Sequence, residues 1–351
     1  MRVPRSRWIT GTLALALLLV VALGVRLGVS WQRALSDVDA MIVTPVALPT
    51  ETPAPVLSDA LAVATAAPLP TAESPLPDSP LNILLLGTDA RLGDSAPTRT
   101  DAIVLVHLDR KDGSVSILSF PRDLWVTYPG YGQGRINAAY ATGEKKIRPG
   151  AGATLAKATV SKLTGLPIHH FVLVNFAGFK TLIDKLGGIS VDVPKAIDDP
   201  AFPTDNYGTI AVHFNAGQQL MDGERALVYA RTRHADSDFG RNQRQQQVLL
   251  AIFDKVRANG LFAQFTNVDE YTGAVRDYVK TDRPRGTMFD LARWGRNLSG
   301  NSLHSFRIEP SMVVMLKNPA TFTAEPRALK KLVGQITGEA VSAAGGTTPE
   351  R

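Results

Sequence analysis

Four hydrophobic patterns divide the chain. Residues 8–29 form an apolar run whose only charge is Arg26, with Arg2, Arg5 and Arg7 ahead of it. Between residues 41 and 80 no apolar period recurs, and nine of the 23 prolines fall there. After residue 80, short apolar runs bounded by glycine and proline read as strands. Longer stretches with apolar positions three or four apart read as helices.

On these signals LNILLLG (81–87) is a buried strand, and AIVLVHL (102–108) with SVSILSF (114–120) is a hairpin turning at 109–113. Helical patterns lie near 135–143 and 153–164, followed by a strand at 168–174 and a helix at 176–186 that Gly187 and Gly188 terminate. A short strand spans 189–193. One helix starts near Asp222, a suitable N-cap, and a long one covers 241–258. A helix at 287–297 and a strand at 303–309 follow. This alternation predicts one α/β/α domain, a central mixed sheet flanked by helices, over 81–337. Residues 338–351 read as a disordered tail.

The ends of the chain need charge and composition as well. Positive charge ahead of 8–29 predicts a transmembrane anchor, in residues 1–33, with its N-terminus in the cytoplasm and everything later outside the cell membrane. A cleaved signal peptide is the rival reading, against which stands the lack of a tidy small-residue cleavage site. Residues 34–80 then read as a Pro/Ala/Thr-rich extended spacer. After residue 80 the chain carries 33 basic and 26 acidic residues, an excess that suits an anionic lipid or glycan. The outside location argues against nucleic acid. The chain has no cysteine, which excludes disulfides, thiolate catalysis and Cys-ligated metals.

Two sets of residues carry candidate chemistry. Asp89 follows the first strand and Asp101 precedes the second, so antiparallel pairing would bring both carboxylates to one rim of the sheet. Two carboxylates suit Mg²⁺, which takes its other ligands from water and phosphate, although turn or capping roles explain Asp at such boundaries equally well. The arginines say more. Arg231 and Arg233 lie two apart and would share a side if extended. Arg241, Arg244 and Gln245 fall on the same helical stripe as Val248, Leu249, Ile252 and Val256, whereas Gln243, Gln247 and Asp254 lie opposite. Inward arginines need anions. Asp236 and Asp238 supply an internal answer, but Arg122, Arg231, Arg233, Arg241 and Arg244 outnumber them. A ligand with several negative charges, such as phosphates gripped bidentately, is the functional answer. His169 and His170 are adjacent in a strand, face opposite sides and read as structural. No GxSxG, HExxH or complete P-loop occurs.

These residues fall in motifs: GTDAR (87–91), RTD (99–101), SFPRD (119–123), RIN (135–137), FAGF (176–179), LGGI (186–189), ARTRH (230–234), DFGR (238–241) and RQ (244–245). Together, over residues 81 to about 258, they resemble the LytR-CpsA-Psr family of cell-wall glycopolymer ligases. The resemblance implies that Asp89 and Asp101 hold Mg²⁺, with Mn²⁺ as a substitute. It implies that Arg122, Arg231, Arg233 and Arg241, with Gln245, grip the pyrophosphate of a polyprenyl-linked glycan; Arg91, Arg99 and Arg244 also match motif positions. Arg135 stands where lysine is often found. The implied lipid tail lies in an apolar tunnel, for which the helices at 153–164 and 176–186 are candidate walls. The implied reaction is transfer of a glycan phosphate to a peptidoglycan hydroxyl, with release of polyprenyl phosphate. Asp238 is a candidate base, and membrane lipid and peptidoglycan are the expected partners. Two other readings of the same residues are a pyrophosphatase acting on the lipid-linked donor and a non-catalytic regulator that binds polyprenyl phosphate.

Overall fold

The computed structural model describes residues 30, 32–48, 79–90, 98–204, 208–233, 237–258, 268–295, 297–299, 302–316 and 321–339. The expected anchor and C-terminal tail fall almost wholly outside these residues. Among the described residues no helix is long and apolar enough to cross a membrane.

A helix, α1, covers 32–41. The chain then runs β1 (Leu81–Thr88), β2 (Thr100–Asp109), β3 (Ser114–Ser119), the hairpin β4 (Trp125–Tyr128) and β5 (Gly132–Arg135), α2 (Ala139–Lys146), α3 (Gly152–Thr164), β6 (His170–Asn175) and α4 (Phe176–Lys185). Next come β7 (Ile189–Val193), β8 (Ile197–Pro203), β9 (Thr209–Phe214), β10 (Gly217–Met221), α5 (Gly223–Arg231), α6 (Asp238–Ala258) and α7 (Val268–Val275). Finally there are β11 (Val279–Thr281), α8 (Arg285–Gly295), β12 (Leu303–Arg307), β13 (Val313–Met315), β14 (Phe322–Ala324) and α9 (Pro326–Thr337).

Six strands form the central sheet in the order β11-β6-β1-β2-β3-β12. β1 pairs antiparallel with β2 and parallel with β6, and β3 pairs antiparallel with β2 and parallel with β12. The sheet is therefore mixed, as the alternating pattern predicts. Successive side chains of β1 go to opposite faces. Leu84 and Leu86 join Leu155 and Val160 of α3 and Leu329 and Leu332 of α9 in one core. Ile83 and Leu85 join Leu249, Leu250 and Phe253 of α6 and Trp294 of α8 in another. A third core packs α5 and the other side of α6 on β7 and β10. With apolar neighbours on two sides, α6 lacks a simple amphipathic stripe.

Local signals set the ends of the helices that bear site residues. Asp222 caps α5, accepting from the Arg225 amide at 2.8 Å, and Asn175 caps α4, accepting from the Gly178 amide at 2.8 Å. The two helices meet at Gly223, where a Cβ would stand 2.6 Å from Lys180 Cα and 2.7 Å from its carbonyl carbon. Backbone cannot yield as a side-chain tip can. Gly223→Ala is therefore expected to destabilise the domain by about 1–3 kcal/mol; an unchanged thermal midpoint would show that α4 and α5 can part without cost.

The N-terminal expectation needs correction in one part. The reading of 34–80 as an extended spacer does not hold for 34–48: α1 is helical, and Ala34, Val38 and Met41 are buried. Their spacing of four and three places all three on one face, a helical period too short to stand out beside the prolines that follow.

Candidate active site

The C-terminal ends of β1, β3 and β6 point to one rim of the sheet, and the sequence-predicted residues gather there. Thr88 pairs with Thr100 while Gly87 pairs with Ala102, so Asp101 is the extra residue of a β-bulge and Asp89 follows directly beyond the partner strand. The expected juxtaposition of the two strand ends is thus present. Gly87 permits it, since a Cβ there would already stand 3.0 Å from the Ala102 Cβ. Asp89 is exposed and the Asp101 side chain one-third exposed.

β3 ends by delivering Arg122 and Asp123 to the same rim. Arg122 lies among three carboxylates: Nη1 is 3.2 Å from Asp101 Oδ1, and Nε is 3.6 Å from Asp123 Oδ2 and 3.7 Å from Asp238 Oδ2. Burial works against its charge, but Asp101, Asp238 and Asp123 outweigh that and raise its pKa. Arg241, on the first turn of α6, is 3% exposed and reaches Asp238 at 3.0 Å. The inward placement predicted for Arg241 and Arg244 is met, as both are buried. Arg135 joins from the β4–β5 hairpin, 3.2 Å from Asp123 Oδ1. Tyr128 fixes that hairpin by donating its hydroxyl to the Arg135 carbonyl, with Gly134 leaving room for the ring.

Asp123 and Asp238 share a hydrogen bond. Burial, followed by that bond, pushes the Asp238 carboxyl up to about 6. Burial acts on Asp123 too, but the Asp238 bond and the charges of Arg122, Arg135 and Arg241 outweigh it and hold Asp123 below the ordinary carboxylate value. Of the two, Asp238 is therefore the carboxylate that binds a proton first as the pH falls. Sequence reasoning singles out Asp238 but misses Asp123 and the role of Arg135. The one available signal for them is their place in the SFPRD and RIN motifs.

Even with these acids, cationic hydrogen-bonding capacity is left over. Among the described residues, Nε of Arg122 and both Nε and Nη2 of Arg241 are buried without a hydrogen-bond acceptor. Arg241 Nη2 lies 3.0 Å from Asp238, but outside hydrogen-bond alignment, so the contact is an ion pair alone. Burial lowers the Arg241 pKa, with Asp238 opposing and Arg122 reinforcing the shift. Buried donors of this kind call for an acceptor from elsewhere.

The remaining predicted residues divide by role. Arg231 is the last residue of α5, not part of an extended strand, because helix continues up to Thr232. Its guanidinium lies over Phe176 and Phe202, 4.8 and 5.3 Å from the ring centroids. Arg233 is exposed; its amide donates to buried Asp199 at 3.2 Å. Arg244 donates to the Thr232 carbonyl, clamping the segment that carries Arg231 and Arg233. Gln245 donates to the Asp101 carbonyl at 3.4 Å. Arg244 and Gln245 therefore position the rim, and Asp199 joins them as a residue that the sequence did not single out. Arg99 is exposed beside the bulge, and Arg91 lies outside the described residues. His169 and His170 stay apart: His169 Nδ1 accepts from the Asn82 amide at 2.9 Å, while His170 Nδ1 lies 3.4 Å from Asp282.

Among the described residues no three His, Asp or Glu side chains form a metal-holding group. Asp89 and Asp101 are two partly accessible carboxylates beside a cation-rich rim. That supply fits a hard ion that completes its shell from water and phosphate oxygens, and does not fit an all-protein cage.

This arrangement is that of an α/β protein with an arginine cluster enclosing a carboxylate pair at the rim of its sheet. Residues 59–336 match the LytR_cpsA_psr family, and the chain belongs to that family. The polyisoprenyl-teichoic acid–peptidoglycan teichoic acid transferase TagU of Bacillus cereus is 34% identical over 226 residues, which is 64% of this chain and 67% of that protein. The protein of the same name from Enterococcus faecalis is 35% identical over 209 residues, 58% of this chain and 61% of its own. The crystal structure of B. subtilis TagV superposes with a TM-score of 0.59 at 27% identity, covering 76% of this chain and all of that one. TagT bound to LI-WTA gives a TM-score of 0.57 at 28% identity, covering 74% and 90%.

Proposed function

We propose that this protein moves a glycopolymer, as its glycan phosphate, from a polyprenyl-pyrophosphate carrier onto a hydroxyl of peptidoglycan. The observation that carries this reading is the set of buried Arg122 and Arg241 nitrogens without acceptors at a rim that also holds Asp89 and Asp101. The relatives named as polyisoprenyl-teichoic acid–peptidoglycan teichoic acid transferases support both a lipid-linked donor and a peptidoglycan acceptor.

The donor pyrophosphate lies against Arg122 and Arg241, with Arg231, Arg233 and Arg99 at the more open edge. The acceptor oxygen attacks the sugar-side phosphorus. The bond from that phosphorus to the bridging oxygen breaks, and polyprenyl phosphate leaves with the electron pair. A phosphodiester forms between glycan and peptidoglycan. The arginines neutralise charge on both phosphates, which is most of what phosphoryl transfer asks of a protein. Asp89 and Asp101 would hold Mg²⁺, whose chemistry here is charge neutralisation of phosphate oxygens. The Asp123–Asp238 pair accepts the acceptor's proton. Residues 8–29 hold the chain in the cell membrane, leaving the domain outside the cytoplasm.

A pH limb follows from this assignment. Asp238, raised to about 6, is protonated below that value and ionised above it. A proton acceptor must be ionised, so kcat/KM is expected to rise with pH through about 6 and then level. Asp238→Asn should remove both the rate and the limb. A wild-type profile that stays flat from pH 5 to 7 would assign the proton elsewhere.

The full chain incubated with polyprenyl-pyrophosphate glycan, Mg²⁺ and peptidoglycan oligomers separates the alternatives. Release of polyprenyl phosphate that requires the oligomers supports transfer. Release without them would establish a pyrophosphatase, and stoichiometric binding with no release would establish a non-catalytic regulator.

A further inference from the structure

We propose that α1 and residues 42–48 form the membrane-side face of the catalytic domain, and that their docking sets the distance from the lipid surface to the arginine site, leaving the proline-rich run 49–78 no part in it. The inference rests on reading 8–29 as the membrane anchor.

The docking is extensive for so short a segment. Ala34, Val38 and Met41 are 0%, 4% and 4% exposed. Asp37 is 7% exposed on the same face, and its carboxylate meets Arg276 at 3.0 Å and the Thr272 hydroxyl at 3.4 Å. A buried carboxylate requires such a partner. Gly273 lets α1 approach α7, since a Cβ there would come to 3.2 Å from Asp37 Oδ2. Beyond α1 the chain joins the sheet. Ile42 bridges Thr281 in parallel, and the Val43 amide donates to the Thr281 carbonyl at 2.7 Å. β11 is the edge strand of the central sheet, so residues 42–43 cover an edge otherwise open to pairing. Val43 and Leu48 pack on the principal core.

Connectivity supplies the rest. The apolar run ends at Val29, and the helix is under way by residue 32. No proline-rich tether separates them. Residues 48 and 79 both belong to the folded domain, so the run 49–78 begins and ends on it. Its length therefore cannot set how far the domain stands from the membrane. For an enzyme whose donor is held in the bilayer by its lipid, a fixed height presents the arginines to the pyrophosphate without a search. The family match begins at residue 59, so the docked segment lies outside it.

The absence of cysteine allows a single dye on Lys146→Cys, on the exposed end of α2, in the full chain placed in phosphatidylglycerol/phosphatidylcholine vesicles. Energy transfer to a lipid-bound acceptor then reports height. Deleting residues 52–76 is expected to leave the transfer efficiency unchanged. Inserting a flexible Gly/Ser segment between Val29 and Ser30, which keeps every α1 contact, should lower it, as should Val38→Asp, which undocks α1. A change on deletion with none on insertion would overturn the proposal. So would fast hydrogen exchange at the Val43 amide in the wild-type chain. A chain that fails to float with vesicles would overturn it together with the anchor reading. Loss of glycopolymer transfer with the expected distance pattern intact would count against the catalytic reading alone.

Discussion

Arg122→Ala is expected to lower kcat/KM for glycopolymer transfer by about 10²–10³-fold, the range found when one preorganised donor to a developing charge is removed. Arg122 is the residue most central to the rim, within 3.7 Å of Asp101, Asp123 and Asp238. Without it Asp101, Asp123 and Asp238 lose the cation they share, and the anionic donor loses a buried positive partner. Arg122→Lys should recover only a small part of the rate, because an ammonium cannot face two directions as the guanidinium fork does. The side chain is 20% exposed, so the fold should survive, and a circular dichroism melt provides the control. Activity within a few-fold of wild type would remove Arg122 from the account.

Asp101→Ala should abolish Mg²⁺-dependent turnover, for two separable reasons. It removes one of the two carboxylates proposed to hold the ion, and it frees Arg122 Nη1 from its 3.2 Å contact. Asp89→Ala removes the other carboxylate while leaving Arg122 its contacts with Asp101, Asp123 and Asp238. Both variants are expected to lose at least about 10²-fold at saturating Mg²⁺. If titration with Mg²⁺ gives the same activation curve for Asp101→Ala as for wild type, the ion is held elsewhere.

Parts of this site are legible in the sequence because they follow from local geometry. The buried strand LNILLLG ends two residues before Asp89, and an antiparallel neighbour must start beside it. Arg241 and Arg244 share the inward side of α6, which periodicity reveals without knowledge of the partner. The Asp123–Asp238 pair is different. One residue follows β3 and the other opens α6, and only tertiary packing brings them together. The same holds for Asp199, whose place under Arg233 depends on the β8–β9 hairpin. Arg244 shows a further limit: its inward direction is predictable, but its bond to the Thr232 carbonyl depends on where α5 ends. The region 34–48 was obscured because its three-residue apolar stripe borders a proline-rich segment that dominates any composition window.

Which atoms move distinguishes glycan-phosphate transfer from the alternatives, and one label reports it directly. A polyprenyl-pyrophosphate glycan carrying ³²P at the sugar-side phosphorus is incubated with the full chain, Mg²⁺ and peptidoglycan, and the label is followed. Transfer of the glycan phosphate predicts that the ³²P enters the peptidoglycan fraction together with the glycan, in a phosphodiester. Label that stays with the lipid while the glycan moves, or that appears on free glycan in solution, would contradict it.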